Sequence, residues 1–168
     1  IAGIHKPDTG VIEAGGNTYI HITPKMAKEL KIAMVTQELN LMPHLSIAEN
    51  IFMFEDSSYK GKVLCLDRKS ICKKTENLFK RFNLTSIPDV NTRVSNLTIA
   101  QQQIVEIMKA IAMNNNVLIF DEPTTSLSIN EVEQFFKLIR SLKANGVSII
   151  LVTHRFNEIF EIGDLVTV

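Results

Sequence analysis

A chain of 168 residues has the length of a single domain and can bury a full core. Its 45% hydrophobic and 21% charged residues are ordinary for a globular protein, and 18 basic against 18 acidic side chains leave a formal net charge of zero. That balance excludes a global field favouring nucleic acid or acidic lipid, and no apolar run approaches the roughly 20 residues of a membrane helix.

In chain order, Ile1-Ala2-Gly3 reads as the last turn of a helix with Gly3 as its C-cap. Residues 11–14 and 17–22 read as two short strands around a tight Gly15-Gly16 turn. Thr23-Pro24 predicts a short helix reaching about Leu30, with proline at its first position. An apolar strand over residues 32–36 follows, with Gln37 at its end. Ser46-Ile47-Ala48-Glu49 has the capping-box pattern that opens a helix, and the polar residues 56–62 predict a loop. From 67 to 83, Ile71, Thr75, Leu78, Phe79 and Phe82 share one face at helical spacing. Eight basic and two acidic residues lie between Lys60 and Arg81; in a neutral chain they read as a solvated outer face, not a nucleic-acid surface. Cys65 and Cys72 fit neither a zinc spacing nor a CxxC pair, so both are expected as reduced structural thiols in a cytosolic compartment.

Thr98-Ile99-Ala100-Gln101 is a second capping-box pattern, opening a helix to about Met113. Residues 117–120 form a continuous apolar run, as in a strand covered on both faces. Ser128-Ile129-Asn130-Glu131 opens the next helix, whose apolar stripe is Val132, Phe135, Phe136, Ile139 and Leu142, and Asn145-Gly146 ends it. Residues 147–152 read as a second buried strand, 155–162 as a short helix and 165–168 as the start of a third strand. This alternation of helix and strand is the signature of a parallel α/β sheet. The first residue is not Met and the last four are strand-like, so both ends read as cut from a longer polypeptide.

Ligands of a parallel sheet bind beyond the carboxyl ends of its strands. Asp121-Glu122, directly after the apolar run, stands at that edge. Phosphoryl transfer to water needs a divalent metal to offset phosphate charge and a group to position the water, and adjacent carboxylates can divide these tasks. Many strands also end in acidic residues simply because the chain reaches solvent there. The wider pattern narrows the choice. Asp121-Glu122-Pro123-Thr124-Thr125-Ser126-Leu127 follows Leu97-Thr98-Ile99-Ala100-Gln101-Gln102-Gln103 by about one helix, and residues 147–152 end at Thr153-His154.

In order and spacing, these residues resemble the ATP-binding cassette (ABC) ATPases, and most closely the sugar-importer subunits of the ribose, galactose and xylose type. The resemblance covers nearly the whole chain. It implies that Gln37 is the Q-loop glutamine reaching metal and water, that Asp121 is the Walker B aspartate holding Mg2+, and that Glu122 is the catalytic glutamate. It implies that His154 is the switch histidine at the γ-phosphate. Residues 97–101 resemble the signature Leu-Ser-Gly-Gly-Gln but carry Thr98, Ile99 and Ala100 at three of its positions, a variant familiar in the first half of tandem sugar-importer subunits. Thr98, Ile99, Ala100 and Gln101 would then face nucleotide, although Thr98 and Gln101 equally suit a cap on their own helix. Residues 125–128 resemble the D-loop, with Ser126 toward the nucleotide and Ser128 where Asp is common. His5, His21 and His44 have no such context and are expected to be surface or satisfied residues.

The sequence contains no G-x-x-x-x-G-K-[ST] run; its one Gly-Lys, Gly61-Lys62, is followed by Val63. The resemblance places the P-loop just upstream of Ile1. It also implies a P-loop NTPase-like parallel core formed by residues 1–45 and 113–168, an inserted helical subdomain over about 46–112, and a small antiparallel β region. The implied function is ATP hydrolysis powering import of a sugar across the bacterial inner membrane, with ATP and Mg2+ as cofactors and this fragment inactive alone. The implied partners are transmembrane permease subunits, a second nucleotide-binding domain and, indirectly, a sugar-binding protein, at the cytoplasmic face of the membrane. A catalytically silent regulatory half and a non-transport ABC ATPase fit the same residues.

Overall fold

The computed structural model describes residues 1–36, 39–53, 59–60, 65–84 and 86–167. Its centre is a parallel three-stranded sheet of β3 (Ile32–Val35), β6 (Val117–Asp121) and β7 (Ser148–Val152), with β6 in the middle. The apolar run over 117–120 is apolar because it is covered on both faces: Leu118 and Phe120 are fully buried in one cluster and Ile119, pointing the other way, is buried in a second. In register, Val35 lies beside Phe120 and Asp121 beside Val152. All three strands point the same way, so their carboxyl ends form one edge.

Parallel neighbours need crossovers, and helices supply them. Between β3 and β6 run α2 (Ile47–Phe52), α3 (Arg68–Arg81), a 3₁₀ turn at Val94–Asn96 and α4 (Ile99–Ala112). Helix α5 (Ile129–Ala144) joins β6 to β7, and α6 (Phe156–Ile162) follows β7. The predicted stripe of α5 is its buried face, and Phe135 meets Phe120 edge to face with ring centroids 5.6 Å apart. On α3, Ile71, Thr75, Phe79 and Phe82 are buried, and Arg81 lies over the Phe82 ring. One apolar cluster runs from α2 and α3 through α4 and β6 to α5.

Side chains set the helix starts. Ser46 and Glu49 bond each other's backbone N–H groups at 3.2 and 2.9 Å, as a capping box requires. Thr23 caps α1 (Pro24–Glu29) by accepting from the Met26 N–H. The Glu131 carboxylate accepts from both the N–H and the hydroxyl of Ser128. Strands β1 (Ile12–Ala14) and β2 (Asn17–Tyr19) form an antiparallel hairpin whose two turn residues, Gly15 and Gly16, both have positive φ, the conformation of a two-residue hairpin turn.

Four expectations are corrected. Residues 1–3 are not helical. Gly3 does take positive φ, but what demands glycine there is close packing, since a Cβ would lie 2.4 Å from the Thr23 carbonyl carbon. Within the expected 56–62 loop, Tyr59–Lys60 is a short strand, β4, paired antiparallel with β5 (Cys65–Leu66); residues 54–58 and 61–64 lie outside the described residues. Strand β7 is not buried on both faces: Ser148, Ile150 and Val152 are exposed, because the apolar cluster of Ile22, Ala27 and Ile32 that buries Ile119 on the same side of the sheet includes no β7 residue. Residues 165–167 form no strand, and Leu165 and Val166 are exposed; Val168 lies outside the described residues. Cys72 is a free thiol donating to Asn91, and its pKa is pushed up, first by burial and then by the carboxylates of Asp89 and Glu76.

Candidate active site

The sheet delivers its carboxyl edge as a set of chemistry-bearing groups. Glu122 directly follows β6, and its N–H continues the ladder to the Val152 carbonyl at 2.9 Å. Its φ is +47°, left-handed backbone that a long side chain rarely adopts. Thr125 braces this turn, donating from its N–H and its hydroxyl to the Glu122 carbonyl at 3.4 and 3.1 Å. The outcome is a half-buried carboxylate turned toward the end of β7. There His154 Nδ1 lies 2.9 Å from Glu122 Oε1. Two residues 32 apart in sequence are thus paired by the register of neighbouring strands.

Asp121, the last residue of β6, is half-buried, and its carboxylate has no partner among the described residues. No cluster of three or more His, Cys, Asp or Glu that could cage a metal exists among the described residues. One hard oxygen donor at a strand end matches Mg2+, which is held by one or two carboxylates plus water and phosphate oxygens and not by a full protein cage.

Among the described residues, no hydrogen bond joins the Thr98–Gln101 group to these residues. The Thr98 N–H donates to Gln101 Oε1 at 3.1 Å, the Gln101 N–H donates to Thr98 Oγ1 at 3.3 Å, and Gln101 Nε2 donates to the Ser86 carbonyl. Both side chains therefore cap α4. The Thr98 hydroxyl accepts in this bond, which leaves its own proton to donate elsewhere. Ala100 is buried, while Thr98 and Ile99 are exposed, the isoleucine at 57%. Ser126 is exposed in the loop after β6. Gln37 lies outside the described residues. Of the other histidines, His5 and His44 are exposed as expected, whereas His21 carries a buried Nδ1 without a partner.

Three residues not singled out in the sequence hold the edge in place. Gln103, buried on α4, donates from Nε2 to the carbonyl of Pro123, directly beyond Glu122. Lys109, two turns further along, donates to the carbonyl of Asn40 at 2.8 Å, tying α4 to the loop after β3. Glu158, buried on α6, receives the hydroxyls of Thr124 and Thr153. Gln103 had a visible signal in the third of three consecutive glutamines on a helix with an otherwise apolar inner face. Glu158 had none, because a glutamate in a short helix reads as solvated.

A model of the ABC transporter family matches residues 1–125. A Rhizobium johnstonii protein described as "Putative ribose/galactose/methyl galactoside import ATP-binding protein" is 44% identical over 164 residues, which is 98% of this chain and 31% of that protein. The chain thus spans about a third of the length of the curated relatives it matches. An ATP-binding cassette of an ABC transporter, solved in its ADP conformation, shares the fold with a TM-score of 0.76 at 18% identity, over 95% of this chain and 65% of that one. A dimeric ATP-binding cassette in a post-hydrolysis state bound to ADP and Pi aligns with a TM-score of 0.66 at 25% identity, over 92% of this chain and 66% of that one. The expected α/β cassette fold is therefore the fold observed.

Proposed function

Because this chain belongs to the ABC transporter family, we propose that it forms most of one ATP-hydrolysing domain of a sugar-import subunit. The observation that carries the reading is the Glu122–His154 pair, set at 2.9 Å on the carboxyl edge of a parallel sheet, beside Asp121, whose carboxylate has no partner among the described residues.

In this reading Asp121 would hold Mg2+ through water, and the ion when bound would offset charge on the phosphates. Glu122 orients the attacking water and accepts its proton, for which a half-buried carboxylate on a braced turn is suited. His154 keeps Glu122 in place through Nδ1 and turns Nε2 toward the γ-phosphate. In a neutral ring, donation from Nδ1 leaves Nε2 an acceptor, so the ring bridges carboxylate and phosphate oxygen only when both nitrogens carry protons. Gln37 contributes its amide to the metal and water. Ser126 and the Thr98-Ile99-Ala100-Gln101 tip of α4 serve nucleotide held against a second, facing domain. The helix N-terminus and the free Thr98 proton suit a phosphate. The dimeric cassette with ADP and Pi supports a facing arrangement. The name of the Rhizobium johnstonii relative supports a sugar cargo, and a monosaccharide is proposed. Partners would be permease subunits and, indirectly, a sugar-binding protein, with the domain peripheral at the cytoplasmic face of the membrane. No helix among the described residues is long and apolar enough to cross it.

A second reading, a silent regulatory half, draws on the exposed Ile99 where the signature pattern has glycine. A Cβ and a branched side chain there narrow phosphate access to the helix N-terminus. One measurement separates the two: steady-state ATP turnover of the complete subunit, assembled with its permease, carrying Glu122→Gln. Loss of the water-orienting carboxylate is expected to lower kcat by about 10²-fold or more with little change in KM for MgATP. Unchanged turnover would remove Glu122 from the chemistry.

A further inference from the structure

Glu158 is 3% exposed on the first turn of α6, and the hydrolytic reading gives it no task. Its Oε1 accepts from the hydroxyl of Thr124, a side chain itself 1% exposed, and lies 3.6 Å from Arg155 Nη1. Its Oε2 accepts from the Thr153 hydroxyl at 2.9 Å. Thr153 Oγ1 in turn accepts from the Arg155 N–H at 3.1 Å. Both carboxylate oxygens are therefore satisfied, and each is bonded to a different loop.

The positions of those loops give the arrangement its meaning. Thr124 stands two residues after Glu122, and Thr153 stands one residue before His154. A single buried carboxylate thus spans the two segments whose ends meet in the Glu122–His154 pair. Taking a carboxylate out of water is costly unless donors replace the lost solvation. An apolar side chain would fill this space without that cost, but it could not hold two hydroxyls at fixed points. A backbone bond already joins the same segments, from the Glu122 N–H to the Val152 carbonyl. It fixes the strand register but not the rotation of the turn beyond it, where φ is left-handed.

We propose that Glu158 is a positioning residue that clamps the loop after β6 to the loop after β7 and so sets the Glu122–His154 geometry. The proposal rests on the hydrolytic reading of Glu122. Glu158 touches no reacting atom in this scheme; it acts through Thr124 and Thr153.

The test is ATP turnover by the complete subunit with its permease, as a function of MgATP concentration. The variants are Glu158→Ala, Glu158→Gln, Thr124→Val and Glu122→Gln, with Glu158→Ala also placed in the Glu122→Gln background. Misplacing a catalytic group by a fraction of an ångström to about 1 Å costs up to about 100-fold. Glu158→Ala is therefore expected to lower kcat about 10- to 100-fold and to leave KM nearly unchanged. Glu158→Gln, which still accepts from one threonine and can donate to the other, is expected to restore most of the rate. Thr124→Val removes one clamp bond at nearly constant volume, and a several-fold loss of kcat in this variant tests the clamp even if Glu158→Ala does not fold. In the Glu122→Gln background, single-turnover rates should show no further loss from Glu158→Ala, because the group being positioned is gone. A loss of equal size in both backgrounds, or a loss carried by KM, would overturn the clamp. Wild-type turnover in Glu158→Ala beside an inactive Glu122→Gln defeats the clamp alone. Wild-type turnover in Glu122→Gln defeats the hydrolytic reading instead.

Discussion

Glu122 takes left-handed backbone, with φ at +47°, at the point where its side chain meets His154. For a residue other than glycine, asparagine or aspartate that conformation costs roughly 1–2 kcal/mol. The His154 contact is partly exposed and returns little of that, since such pairs are worth about 0–1 kcal/mol. Substitutions at this position should therefore separate folding from chemistry. Glu122→Asn, whose short side chain tolerates left-handed backbone, is expected to be more stable than Glu122→Ala by about 0.5–1 kcal/mol, with turnover lost in both. Urea unfolding of the two variants checks this; an alanine variant as stable as the asparagine variant would show that the turn is not strained. At this scale the sequence is uneven in what it reveals. Asp121, Glu122 and His154 stand out because each sits at the end of an apolar run. The left-handed turn does not stand out, since Glu is a poor marker for positive φ. The Glu158 bonds are hidden for another reason: the one to Thr124 spans 34 positions, a meeting of two loops that no local pattern encodes, and the one to Thr153, five residues back, matches no recognised cap spacing.

Helix starts were the most legible elements, because a cap is local. Ser46, Thr98 and Ser128 each find their partner three residues on, and the same spacing is visible in the bare chain. Two of these caps carry a pH signature. The Ser46 N–H bonded to Glu49 holds its carboxyl below the ordinary glutamate value, against the upward push of burial, with the Ser46 hydroxyl and Arg68 adding to the depression. Glu131 is held low first by the Ser128 N–H and then by the Ser128 hydroxyl. A carboxyl depressed in the folded state contributes stability above its unfolded pKa, near 4.5, and loses it as pH falls through the folded value. Acid should therefore weaken both helix starts below about pH 5. Glu49→Gln with Glu131→Gln, which keeps the cap geometry without the titration, is expected to flatten the dependence of the urea midpoint on pH in that range. An equally steep dependence in the double variant would mean that other carboxylates govern it. Elements defined by non-local neighbours were less legible. A run that is apolar but for Ser148 gives no sign of whether its strand has one covered face or two, which is why β7 departs from the buried strand that the sequence predicts. The β4–β5 pair has too few residues for any periodicity to show.

Taken whole, the chain carries the edge proposed to activate water and holds no run of the P-loop type. Hydrogen bonds to charged phosphate are worth roughly 1.5–3 kcal/mol each, so a nucleotide that forgoes three or four of them binds weaker by on the order of 10³-fold or more. Titration calorimetry of these 168 residues with MgATP is accordingly expected to give no micromolar binding, and a micromolar dissociation constant would show that the described groups grip nucleotide unaided. The fold class was legible at this scale because the alternation of helix and strand leaves few parallel arrangements. The bare side of β7, with Ile150 and Val152, has a consequence for the chain in concentrated solution. Phe156 and Phe160 on α6 and the trailing Leu165 and Val166 are exposed as well, while the formal charge is zero. Long-range repulsion is then absent while short-range apolar attraction is ample. Colloidally, such a molecule is expected to be sticky: its second virial coefficient should be negative near neutral pH, which static light scattering would read.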